Sequence, residues 1–272
     1  MDCKRSVAAA VVVYNVHCAD SLTCQALAGI TGEDLTVLIY DNSTKDLGNR
    51  KYCEERGWTY LGGNGNAGIS KAYNECVDHL TQSGTAQVLC IFDDDTALDG
   101  SYFALLREAM EGAEERIFVP LIYSNDKLLS PCRMAPGHSI RLFETEEQAL
   151  ECREKNLSAI NSCMAMNLSL FDSYRYDENI FLDGVDHHFI ADMVQRGERI
   201  KVFAYRCRHS FSGDSVPSKS SALSRFRIFE KDFRYILRND KPAYLRLVGK
   251  RVLKLTLQYR SVDFLRALLR RQ

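Results

Sequence analysis

Three consecutive aspartates, Asp93-Asp94-Asp95, directly follow the apolar run 88–92. Carboxylates this close repel one another unless a cation or hydrogen-bond donors compensate. Hard divalent cations favour carboxylate oxygen and commonly bridge it to a substrate phosphate. On extended chain, alternation sends Asp93 and Asp95 to one side and Asp94 to the other. The bland alternative is a solvated acidic turn. A second acidic group, Asp183 and Asp186, precedes a stretch with Phe189, Ile190, Met193 and Val194 at helical spacing. Asp186 there can cap a helix, or serve as general base toward a substrate hydroxyl. His209, just past the last apolar run, is a further candidate ligand, whereas His187 and His188 read as helix-surface residues.

Two other segments could touch a ligand. Asp41-Asn42-Ser43 suits either a strand-to-helix turn or contact with a nucleobase or ribose. The segment 63–68 fits G-x-G-x-x-G. It follows the third strand instead of opening the first βαβ unit, which argues against dinucleotide binding. A turn giving a ligand close access to the backbone fits equally well.

The elements that must position these residues alternate. Strands are predicted at 7–13, 35–40, 59–61, 88–92 and 117–122, and helices near 21–30, 45–56, 69–80 and 101–111. This rhythm predicts an α/β fold, a mainly parallel sheet flanked by helices, with ligands at the carboxyl ends of the strands. Tyr14-Asn15, Asp41-Asn42, the glycine segment and the aspartates each follow a strand and so converge on one edge. Further on we predict a hairpin around 127–132, a helix near 146–154, a strand near 158–163, a loop entering a helix over 181–196, and a strand at 201–205. Beyond Pro217 the chain reads as wholly helical. The expected division is 1–215 for the α/β domain and 216–272 for a basic helical extension.

Composition narrows the classes. A hydrophobic fraction of 46% suffices for a buried core, and no apolar run reaches the roughly 18 residues of a membrane span. The run 7–13 superficially resembles a signal peptide but reads as the first core strand. The ten cysteines form no Cys-x-x-Cys pair, so a zinc site is not expected, and a reduced, cytoplasmic protein is the simplest reading. Residues 219–272 carry a net charge of +11 against −12 for the remainder, which points to an anionic surface as partner. Within 243–271, Leu245, Val248, Val252, Leu255 and Tyr259 recur at helical spacing among lysines and arginines. Such a helix either lies peripherally on an anionic membrane at the inner face of the cell membrane or packs on the catalytic domain.

Taken together, these motifs resemble the family 2 glycosyltransferases, in particular their rhamnosyltransferase-like branch, from Val11 to about Gly213. Val11-Val12-Val13-Tyr14-Asn15 looks like the opening strand, and Asp41-Asn42-Ser43 like the base-recognition turn. Gly65-Asn66-Ala67-Gly68 resembles the segment lying along the donor. Asp93-Asp94-Asp95 resembles the D-x-D motif. Asn161-Ser162-Cys163 stands at a small-residue turn facing the acceptor, where the third residue is usually glycine. The resemblance implies a GT-A fold and an inverting transfer from a nucleotide-diphosphate sugar, dTDP-rhamnose or a UDP-sugar. The acceptor it implies is a glycan or lipid-linked molecule of a bacterial surface polysaccharide, and no nucleic acid is expected as partner. It further implies Mn²⁺ or Mg²⁺ held by Asp95, Asp93 and His209, with Asp186 as base. Tyr14, Asn15, Asp41, Asn42, Gly65, Asn66, Gly68, Asp93 and Asp94 would form the donor site. The competing readings are a non-catalytic nucleotide-sugar-binding subunit and a sugar-phosphate nucleotidyltransferase. The latter normally carries a basic glycine-rich loop where Tyr14-Asn15-Val16-His17 stands.

Overall fold

The computed structural model describes residues 6–30, 34–136, 138–209 and 217–269. Strands β1 (Val7–Val13), β2 (Leu35–Asp41), β3 (Thr59–Gly62) and β4 (Val88–Asp93) lie side by side in the order β3-β2-β1-β4, all parallel. β5 (Thr96–Ala97) follows the aspartates, and β6 (Ile117–Ser124) forms a hairpin with β7 (Lys127–Ser130). β8 (Cys132–Ala135), β9 (Ser139–Leu142) and β10 (Leu157–Ser158) make a small antiparallel sheet of their own. β11 (Met164–Asn167) inserts antiparallel between β4 and β6. β12 (Ile200–His209) runs parallel to β6 and pairs at its end with β5. The large sheet is thus mixed, with a parallel half that carries the ligand-type segments.

Helices α1 (Leu22–Gly29), α2 (Asn49–Glu54) and α4 (Ser101–Met110) cover one face of this sheet, and α3 (Ile69–Ser83) the other. α5 (Glu146–Leu150) and α6 (Val185–Gln195) also join the α3 side. The period of two in a strand explains this division. Ala8 and Ala10 of β1 pack with Leu38, Leu89 and Ile91 in the core under α3. Val7, Ala9, Val11 and Val13 pack with Ile39, Cys90 and Phe92 in the core under α1 and α4. A run that is apolar throughout therefore serves two cores at once, as parallel strands buried on both faces do. The nine described cysteines are all buried, and none is in a disulfide.

Several local expectations shift. The hairpin turns at Asn125-Asp126 instead of within 127–132, both residues having positive φ (47° and 59°). Asn and Asp tolerate that conformation, which suits a two-residue hairpin turn. The strand expected at 158–163 divides between β10 and β11, because the chain turns there and Cys163 itself takes φ 60°. The helix expected over 45–56 shrinks to α2, which starts after Gly48 at φ 80°.

Beyond 217 the chain forms α7 (Lys219–Ile236), α8 (Lys241–Tyr259) and α9 (Asp263–Leu269). Ser218 and Asp240 cap the first two by accepting from Ser221 and Ala243 backbone N–H groups. The tail is not continuously helical, since Arg260 at φ 47° closes α8. The Ser261 hydroxyl then accepts from Asp263 N–H and starts α9. Ala222, Phe226, Phe229, Val248, Val252 and Phe264 form a core of their own among these helices. Among the described residues no helix is long and apolar enough to cross a membrane. Phe226 is 1% exposed and rings against Phe229 and Phe264. Phe226→Ala is expected to destabilise the protein by about 3 to 5 kcal/mol, read as a lower urea midpoint.

Candidate active site

Parallel order places the carboxyl ends of β1 to β4 on one edge, and a cavity of about 910 Å³ opens there. Tyr14, Asn42, Asn66, Gly68 and all three aspartates line it. The expected alternation of the aspartates fails for a local reason. β4 ends at Asp93, and residues 94–95 form a tight turn into β5, so the two-residue period no longer applies. The backbone of this turn is gripped from α1. Thr23 Oγ1 donates to the Asp93 carbonyl at 2.5 Å, and Ser21 Oγ to the Asp94 carbonyl at 2.6 Å. Burial, together with the charges of Asp95 and Asp93, pushes the Asp94 carboxyl up to about 6, although the Tyr14 N–H at 3.3 Å opposes this. The turn thus concentrates three carboxylates at one edge of the cavity.

The other sequence candidates separate into lining and bracing residues. Asn42 Oδ1 accepts from Ala67 N–H at 2.7 Å and Asn66 Oδ1 from Gly68 N–H at 3.1 Å, tying the glycine turn to the β2 turn. Gly68 has φ 88°, and a Cβ there would lie 2.6 Å from the Phe181 ring. Gly65 needs its φ of 93° only, with open space around it, and does not line the cavity. Asp41 is 3% exposed and accepts from Ser43 N–H, Asn49 Nδ2 and Tyr60 OH at 3.0, 3.0 and 3.1 Å. Asn15 likewise braces, accepting from Thr44 N–H and Oγ1. Neither Asp41 nor Asn15 lines the cavity. The backbone of His209 pairs with Thr96, one residue past Asp95, but its side chain and residues 210–213 lie outside the described residues. Among the described residues no group of three or more His, Cys, Asp or Glu is arranged to hold a metal.

Asp186 sits elsewhere, in the first turn of α6, where its Oδ1 accepts from His187 N–H at 2.7 Å. The helix cap is Gly184, at φ 80°, and not Asp186. Asp186 lines a second cavity of about 300 Å³ with His138, His187, His188, Phe233 and Arg251. His187 and His188 are therefore not helix-surface residues. His187 Nδ1 pairs with Ser158 Oγ at 2.8 Å, and His188 Nδ1 with Asp192 at 3.3 Å. The two cavities share the loop 181–184, since Phe181 and Leu182 face the first while Asp183 and Gly184 face the second. Tyr73, fully buried, is raised well above the ordinary tyrosine value by burial and then by the charges of Asp93, Tyr176 and Asp186.

What holds the shared loop was not anticipated. Asp232 of α7, with no exposure, accepts from the backbone N–H groups of Phe181, Leu182 and Asp183 at 2.9, 2.9 and 2.8 Å. Arg225, also of α7, forks onto Asp183, so that carboxylate is committed to an ion pair. From the opposite side α3 donates Ile69 N–H to the Phe181 carbonyl and Ser70 Oγ to the Ile180 carbonyl, at 2.8 and 2.6 Å. Ser221, Ser224 and Arg225 of α7 also line the first cavity. A signal existed: Asp232 is one of four acids in 219–272, spaced three and six residues from Phe229 and Phe226 on the buried face.

Two outcomes test this geometry. Asp232→Ala leaves three N–H groups without their acceptor and is expected to cost about 3 kcal/mol or more, seen as a lower Tm and fast amide exchange over 181–183. Asp192→Asn tests the second cavity. The His188 pKa lies above 6.5, raised first by its hydrogen bond to Asp192 and held back by burial. A raised histidine contributes stability that is complete below pH 6.5 and lost as pH rises through the raised value. In Asp192→Asn the His188 titration, followed by NMR, is expected to move down, and that pH-dependent stability to diminish.

Comparison with known proteins agrees with this architecture. The profile of Glycosyl transferase family 2 matches residues 10–175, more than half of the chain. No curated protein matches the sequence significantly. Among solved structures, GalNAc-T7 with UDP, GalNAc and Mn²⁺ superposes with a TM-score of 0.62 at 14% identity, covering 96% of this chain and 55% of its own. The mannosyltransferase PcManGT from Pyrobaculum calidifontis, in complex with GDP-Man and Mn²⁺, gives 0.56 at 16% identity over 93% of this chain and 70% of its own. S. aureus TarS 1-349 gives 0.53 at 13% identity over 84% and 65%. At such identities the likeness shows the fold, a GT-A-like one. The chain spans less than two thirds of the TarS fragment and of GalNAc-T7.

Proposed function

The chain belongs to the family 2 glycosyltransferases, and from that premise we propose that it transfers a sugar, with inversion, from a nucleotide-diphosphate sugar to a hydroxyl of a glycan or lipid-linked acceptor. The observation carrying this reading is the pair of cavities sharing one loop, the first lined by the acid turn and the second by Asp186. Single displacement at an anomeric carbon needs those two parts. Negative charge must be accommodated where the diphosphate leaves, and a base must stand behind the attacking oxygen.

In this reading the larger cavity takes the donor. Asn42, Asn66 and Gly68 offer polar groups and close backbone approach along it, and Tyr14 stands at its rim. Asp41 positions these groups by accepting from Ser43 N–H, which fixes the turn that contains Asn42, and by holding Tyr60 and Asn49. That GalNAc-T7 and PcManGT were crystallised with UDP or GDP-Man and with Mn²⁺ supports a nucleotide sugar and a divalent cation here. The acid turn fits such a cation by the chemistry of its donors: several carboxylates from one short turn lining one cavity. Asp95 and Asp93 would hold it, with His209 as a third candidate and diphosphate oxygens and water completing the shell. Bound there, Mn²⁺ or Mg²⁺ would neutralise charge developing on the leaving diphosphate.

The smaller cavity takes the acceptor. Asp186 Oδ1 is occupied by His187 N–H, so Oδ2 is the oxygen that accepts the acceptor's proton as the new bond forms. Phe233 supplies an apolar face against which a sugar ring can lie, backed by Phe229, on whose ring Arg251 stacks 4.2 Å from the centre. Helix α7 is thereby part of both sites, and α8 of the smaller one.

Screening nucleotide sugars for hydrolysis and transfer, with and without Mn²⁺, tests the reading. Asp95→Ala should remain folded and lose cation-dependent turnover; full wild-type activity in excess chelator would contradict the metal assignment. Asp186→Asn should keep donor affinity and lose about 10²- to 10⁴-fold in transfer rate. Normal transfer with collapsed donor binding would make Asp186 structural. Donor binding without turnover by the wild type, for every acceptor tried, would favour a non-catalytic binding subunit.

A further inference from the structure

Helix α8 has more apolar surface than its packing uses. Val248 and Val252 are 1% and 3% exposed in the core with α7 and α9, and Leu255 and Tyr259 pack beside them. Leu245, by contrast, faces solvent with Leu253 and Leu257, at 65%, 61% and 68% exposure. Their positions, repeating in multiples of four, share one face of a helix. Arg246, Lys250 and Lys254, also exposed, interleave with and flank these leucines. α9 and the turn before it add Val262, Leu265, Leu269 and Arg266, all exposed. Among the described residues six of the ten exposed large hydrophobics fall within 245–269, a concentration beyond the single exposed apolar side chains that ordinary surfaces carry.

We propose that this face docks on an anionic phospholipid surface, with the leucines entering the interface and the lysines and arginines among the headgroups. Charge selects this occupant. A second copy of the chain, joined symmetrically through the same face, would set the basic side chains against their own kind. The leucines would contribute nothing on a nucleic acid. The third side of α8 gives the docking a consequence. Leu247 and Arg251 line the cavity that contains Asp186, so one helix thickness, about 10–12 Å, lies between that cavity and the lipid surface. The docking itself does not depend on the proposed reaction, because vesicle binding requires no turnover.

The test is co-sedimentation of the full chain with phosphatidylcholine vesicles, with and without phosphatidylglycerol, at low and high salt. Binding is expected only with phosphatidylglycerol and should weaken as salt rises. The double change Leu253→Glu, Leu257→Glu should lower it at least about tenfold, and Lys250→Ala and Lys254→Ala roughly fivefold each. Thermal melts should be unchanged, these side chains being exposed. Absence of wild-type binding, equal binding to both vesicle types, or variants that bind like wild type would each overturn the proposal. A dimer in sedimentation velocity that the Leu253/Leu257 variant dissolves would overturn it in favour of a second copy.

Discussion

The carboxylate of Asp232 organises the functional half of this molecule. It accepts from three successive backbone N–H groups of the loop 181–183 and is itself fully buried. Turning three peptide dipoles toward one charge needs a fixed loop conformation, and hydrogen bonds to a charged acceptor are stronger than neutral ones. Because α3 grips the same loop from the other side through Ile69 and Ser70, the loop is a strut between the α/β sheet and the C-terminal helices. Gly184, at φ 80°, then turns the chain directly into α6. The location of Asp186 depends on that sequence of constraints.

The acid turn is held in the opposite manner. Its carboxylates line a cavity, while its backbone carbonyls take the hydroxyls of Ser21 and Thr23. Fixing the main chain from behind keeps like charges close, at an electrostatic cost that, with burial, is evident in the raised Asp94 carboxyl. A protein selected for stability alone would separate those charges. The two-residue β5, pairing with the end of β12, brings the backbone of His209 beside the same turn.

The C-terminal helices divide their faces among several tasks. α7 and α8 bury Phe226, Phe229, Val248 and Val252 against one another, and α7 clamps the loop. Phe233, Leu247 and Arg251 line the smaller cavity, while Leu245, Leu253 and Leu257 remain outside. A basic segment that on charge alone could be a detachable tail is thus joined to the site by buried hydrogen bonds.

The amino-acid sequence by itself determined the parallel half of the sheet and the edge on which polar groups gather. Strand periodicity and the residues after each strand are local properties, and Asn42, Asn66, Gly68 and the aspartates do line one cavity. Where local rules end, only the tertiary structure decided. The side to which Asp94 points depends on a turn gripped from α1, not on strand alternation. Whether Asp41 faces a ligand depends on Asn49 and Tyr60, which the fold brings to it. The stripe read at 245–259 is one face by spacing, yet Val248 and Val252 are buried and Leu245 is not, because burial is set by which neighbours arrive. Asp232 shows the limit most clearly: its three partners stand about fifty residues earlier in the chain, and no local pattern encodes a contact over that distance.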